Sequence, residues 1–125
     1  DAFLFYVKAE KYLKEFKFIE ATEMLSFLRN KYPNASIIPT AMLRECLLRM
    51  VVDDVSISLN IAKSLQNTSL AAEGIATQGE IYEKSYKDTK KAIEMYNLLI
   101  EDYPMSMLAE PVRIRIRQLN NVNKS

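Results

Sequence analysis

Apolar residues recur along this chain at spacings of three and four, the period of an α-helix with one face turned inward. Ala92, Tyr96 and Leu99 in KAIEMYNLLI fall at i, i+4, i+7, and Ile75, Gly79 and Tyr82 do the same just upstream. Nearer the start, Phe5, Ala9, Tyr12 and Phe16 form one stripe, expected to face a second made of Phe18, Ala21, Leu25 and Leu28. The pattern predicts seven helices, near residues 2–15, 18–31, 38–51, 54–66, 69–86, 89–102 and 107–121. Twice a helical run stops at Tyr-Pro, in FLRNKYPNAS and again in LLIEDYPMS. Proline has no N–H to continue the helix and biases the residue before it away from α geometry. Asp53-Asp54 and Lys87-Asp88 mark tight turns, with Asp54 and Asp88 as N-caps.

Superposing the two Tyr-Pro endings exposes a repeat. Ala21 and Ala92 each lie twelve residues before their proline; Ala9 lies twelve before Ala21 and Gly79 thirteen before Ala92, each followed three residues later by a tyrosine, Tyr12 or Tyr82. Cys46 and Ser58 between them are again twelve apart. Antiparallel helices approach closely only where the facing side chains are small, so these are read as packing pairs: Ala9 with Ala21, Cys46 with Ser58, Gly79 with Ala92. Three helical hairpins of about 34 residues result, near 2–35, 38–71 and 72–105, followed by a closing helix near 107–121. Val112, Ile116 and Leu119 give that last helix one apolar stripe, and Arg113, Arg115 and Arg117 are expected on its wet side. The fold class is all-α.

Composition narrows the function. The chain has 125 residues with 49% hydrophobic, 26% charged and only two Gly, which suits one helical domain with a real core. A net charge of +1 removes the basic footprint of a nucleic-acid binder. No stretch reaches the roughly 20 apolar residues of a membrane span, and no basic-then-apolar leader opens the chain. With no histidine, Ser/His, Cys/His and His-containing metal sites drop out. Cys46, the one cysteine, reads as a small core residue, Asp53-Asp54 as a cap and its neighbour rather than a catalytic dyad, and there is no Gly-rich phosphate loop. No enzymatic activity, cofactor or metal is expected.

The residues GEIY (Gly79 to Tyr82), KAIEMYNLLI and Pro104 at a unit's end resemble the tetratricopeptide repeat family. The closing YPMSMLAEPVRIRIRQL is similar to the endings of bacterial cell-envelope members, among them the lipoprotein of the outer-membrane β-barrel assembly machine and the Tol-Pal coordinator. The resemblance implies a right-handed α-solenoid with a capping helix, and a periplasmic or cell-envelope setting, with the cytoplasm as the other. In the middle unit Glu45 and Arg49 stand where the family has apolar residues, and are read as an i, i+4 pair on a surface.

The resemblance also implies a concave groove, lined by the first helix of each unit, that binds a peptide or helix of a partner protein. Its positions here are Phe3, Tyr6, Glu10, Leu13, Thr40, Leu43, Leu47, Met50, Glu73, Ala76, Glu80 and Glu83. The apolar members would supply affinity, while Glu80 and Glu83 would favour basic residues. Phe3, Leu4, Phe5, Tyr6 and Val7 are five successive apolar residues, and at about 100° apart they cover every face of the first helix. Phe3, Leu4 and Val7 are therefore open to further repeats preceding Asp1, this being the C-terminal part of a longer chain, to a second copy in a homodimer, or to the groove itself. The rival to a binding scaffold is a structural spacer or self-association segment.

Overall fold

The computed structural model describes residues 1–52 and 54–124. Among them there are seven helices and no strand: α1 (Ala2–Lys14), α2 (Phe18–Lys31), α3 (Ile38–Val51), α4 (Val55–Leu65), α5 (Ala71–Lys84), α6 (Thr89–Asp102) and α7 (Ala109–Lys124). Each helix packs on the next in sequence, and α3 additionally reaches α5. The chain is thus a succession of helical hairpins, α1/α2, α3/α4 and α5/α6, with α7 against α6.

Both Tyr-Pro endings act alike. Tyr32 (φ −126°, ψ 58°) and Tyr103 (φ −134°, ψ 57°) leave helical geometry just before their prolines, each still donating its N–H to the carbonyl four residues back. The following linker is a shared device. The N–H of Ala35 donates to Tyr32 O and that of Ser106 to Tyr103 O. In the middle unit, which has no Tyr-Pro, Thr68 makes the same turn by donating its N–H to Leu65 O. The Thr68 and Ser106 hydroxyls then accept from the N–H of Leu70 and Leu108, both at 3.1 Å. These side-chain turns compete with helix at residues 69–70 and 107–108, so α5 and α7 start two residues later than their apolar periodicity predicts.

Within the first and third hairpins, one residue of the tight turn is left-handed, Phe16 (φ 59°) and Lys87 (φ 55°). Phe16 is accordingly 79% exposed, and it meets α2 at that helix's first residue, Phe18, whose ring it contacts edge-on at 6.3 Å. Asp88 caps α6 by accepting the Lys91 N–H at 3.1 Å. Asp54 holds the N-cap position of α4 but makes no capping bond through its side chain; its carboxylate goes to Arg49 instead. Asp53 lies outside the described residues.

The small residues of the expected packing pairs lie inside. Ala9, Ala21, Cys46, Ser58 and Ala92 are all fully buried. Cys46 and Ser58 clasp reciprocally, the Ser58 hydroxyl donating to Cys46 O at 2.7 Å and the Cys46 thiol to Ser58 O at 3.3 Å. At Gly79 the space a Cβ would take is filled by the ring of Tyr96, one turn along α6 from Ala92; the ring Cδ1 would lie 2.6 Å away. Gly74, with no role in the sequence reading, admits the end of α4 on another side of α5. A Cβ there would come within 2.6 Å of Leu65 Cβ and 2.9 Å of Ala62 O. Val112 and Leu119 are buried and Ile116 is partly buried, joining α7 to the core of the third hairpin.

Candidate interaction surface

Tyr6 of α1 and Thr40, Leu43, Arg44 and Leu47 of α3 line an open cavity of about 150 Å³. Leu43 and Leu47 follow at i, i+4 on one side of α3, so two adjacent hairpins contribute first-helix residues to one concavity. Arg44 spans the rim, its Nε donating to Glu10 Oε1 at 2.8 Å and its Nη2 to Glu10 Oε2 at 3.1 Å. This bidentate bond raises the Arg44 pKa further, and partial burial followed by the neighbouring Glu10 charge raises that of the Tyr6 phenol. Leu47 is 39% exposed, whereas Leu13 and Met50 are partly buried against the core and are not among the residues that line the cavity.

A second cavity, of about 220 Å³, lies between α5 and α7 and includes Ala76, Glu80, Glu83, Val112 and Arg115. The acids expected to attract a basic partner are already engaged. Glu80 accepts from Lys84 at 2.8 Å. Glu83 is gripped by the Arg115 guanidinium through both carboxylate oxygens and accepts the Tyr96 hydroxyl at 3.1 Å. Arg115 is the chief reason the Glu83 pKa is lowered; burial, then the Glu83 charge, pushes the Tyr96 phenol well up. Glu83 therefore fastens α7 to α5, and Arg115, its side chain still 43% exposed, reaches it from the wet side of α7. Arg113 pairs with Glu110 at 3.3 Å. A third opening, of about 360 Å³, lies away from the expected groove, lined by Leu59, Tyr82, Tyr86, Asp88 and Lys91. Its charged groups are in use: Asp88 caps α6, and the Lys91 ammonium stands over the Tyr82 ring at 5.4 Å.

Glu45 departs furthest from expectation. It is wholly buried, not on a surface. Its Oε1 accepts Arg29 Nε at 3.0 Å, and its Oε2 accepts Arg29 Nη2 at 3.1 Å and Arg49 Nε at 2.8 Å. Arg49 continues to Asp54, so one network ties α2, α3 and the turn before α4. The i, i+4 pair with Arg49 exists, but burial became affordable only through Arg29, sixteen residues away in sequence. Beside it, burial pushes the Cys46 thiol up to about 12, an inert state for a cysteine.

On the outside of α1, Phe3 (60%), Leu4 (65%) and Val7 (47%) are exposed. Among the described residues no helix is long and apolar enough to cross a membrane. No protein-family model matches the chain, and a search of curated proteins finds no relative.

Proposed function

We propose that the chain is a non-catalytic protein-interaction scaffold, a right-handed tetratricopeptide-like array whose first helices receive a peptide or helix of a partner protein. The observation that carries this reading is the convergence of Tyr6, Thr40, Leu43 and Leu47, from two successive hairpins, on one open cavity. An apolar side chain of the partner fills that cavity and supplies most of the affinity. The Glu10–Arg44 pair at the rim satisfies itself and contributes orientation more than energy. Since Lys84 and Arg115 already engage Glu80 and Glu83, attraction of a basic partner is a minor part, and binding changes little with salt. The likeness of the closing segment to cell-envelope proteins supports the bacterial periplasm as the compartment.

A photo-crosslinking residue placed at Leu47 tests this. Leu47 and Ile57 are comparably exposed, at 39% and 41%, but Ile57 is on α4, away from the cavity. A discrete crosslinked protein from position 47, absent from position 57 and lost on Tyr6→Ala, is the expected result. Identical crosslinking from both positions refutes the groove. The exposure of Phe3, Leu4 and Val7 favours a second reading, self-association through α1; Leu4→Glu with Val7→Glu should then lower the sedimentation coefficient at high concentration without loss of helix.

A further inference from the structure

The open end of the first hairpin carries a set of side chains that the groove does not use. Phe27 and Lys31 are i, i+4 neighbours on α2 and share a face. Tyr32, turned out of the helix by Pro33, brings its ring to 5.9 Å from that of Phe5 on α1, and Phe5 meets Phe27 edge-to-face at 5.2 Å. The Lys31 ammonium stands over all three rings, 5.8 Å from the Phe5 centroid, 5.4 Å from Phe27 and 5.6 Å from Tyr32. Among the described residues it makes no ion pair. The second Tyr-Pro ending has Leu98 and Asp102 at the matching positions, so the arrangement belongs to the first hairpin alone.

Three aromatic faces around one cation form the kind of cage that recognises quaternary ammonium groups. Lysine is a poor occupant. Its three N–H donors are strongly hydrated and find no acceptor among the rings, whereas a quaternary ammonium has no donor to satisfy and sheds water at lower cost. Lys31 is itself exposed, and Phe27 is 44% exposed, so the side chain can swing out and admit a ligand without unfolding. We propose that Phe5, Phe27 and Tyr32 form a binding site for the trimethylammonium group of a small soluble molecule, with Lys31 as its built-in competitor.

The site is tested by following ring-proton NMR shifts of Phe5, Phe27 and Tyr32 during titration with choline, against its neutral isostere 3,3-dimethylbutanol. Saturable shifts with choline and none with the isostere are expected. Lys31→Ala removes the competitor. A cation–π contact at an exposed site holds the lysine in place by a factor of about two to five, so the variant should bind choline roughly three- to sixfold more tightly. Phe27→Leu keeps apolar bulk but removes a ring face and should lose the response, while an unchanged circular-dichroism melt shows that it still folds. Equal binding of choline and the isostere, no saturable shift in the Lys31→Ala variant, or unaltered binding by Phe27→Leu each overturns the proposal. Retention on phosphatidylcholine vesicles without a response to free choline also overturns it, by making a lipid surface the ligand.

Discussion

Replacing Glu45 with alanine removes a carboxylate whose side chain has no solvent exposure and leaves Arg29 and Arg49 close together. Breaking a buried ion pair from one side typically costs about 3–5 kcal/mol, because the remaining charge stays poorly solvated. Arg29 and Arg49 keep side-chain exposures of 29% and 14%, so both can turn partly toward water, and Arg49 retains Asp54. The lower end, about 3 kcal/mol, is therefore expected, a fall in melting temperature on the order of 10 °C for a domain of this size. Urea denaturation followed by circular dichroism gives the free energy, and Arg29→Ala and Arg49→Ala with the matching doubles complete the cycle. The coupling between Glu45 and each arginine should exceed about 1 kcal/mol. Replacing Glu45, Arg29 and Arg49 together by Met or Leu should restore most of the loss, since apolar residues of similar volume incur no charge desolvation. A Glu45→Ala cost below about 1 kcal/mol, or additive single and double variants, would refute the buried network.

The two α5 glycines separate by what surrounds them. Gly74→Ala drives a Cβ into the Ala62 carbonyl and Leu65 Cβ, which cannot rotate aside, and should destabilise by about 1–3 kcal/mol in the same urea assay, whereas Lys90→Ala on the exposed side of α6 should stay within about 0.5 kcal/mol. Cys46, buried with its pKa pushed up to about 12, should resist iodoacetamide at pH 8 in the native protein and react promptly in urea; rapid native labelling would contradict its burial. Glu83 has a folded-state pKa below its ordinary value of 4.5, so the unfolded chain takes up the proton first as pH falls. Its stabilising contribution is complete above that value and is lost as pH drops through the lower, folded-state pKa. The stability advantage of wild type over Glu83→Gln should accordingly shrink on acidification below about pH 4.5; a constant difference would place Glu83 away from Arg115.

Helix number and order were legible because their signals are local. Apolar residues three and four apart share a helix face whatever packs on it, and Pro33 and Pro104 stop a helix through the backbone of the residue before them. The twelve-residue spacing of Cys46 and Ser58 likewise needs only two helices and a tight turn, and the two side chains clasp in the structure. What the periodicity missed, the starts of α5 and α7, depended on hydroxyl-capped turns at Thr68 and Ser106, a weaker local signal. Of the expected groove, Tyr6, Leu43 and Leu47 do meet around one cavity, while Glu83 is held by Arg115.

The sequence by itself determined the number and order of the helices. Tertiary structure decided the long-range partners of three glutamates. Glu10 finds Arg44 at a separation of 34 residues, Glu83 finds Arg115 at 32 and Glu45 finds Arg29 at 16. None of these partners lies within reach along one helix, so no period in the sequence announces them. A carboxylate in an unpaired helix is stabilised chiefly by water and belongs on the surface; only when hairpins stack does a guanidinium arrive to replace that water, and the same glutamate becomes an interior fastening.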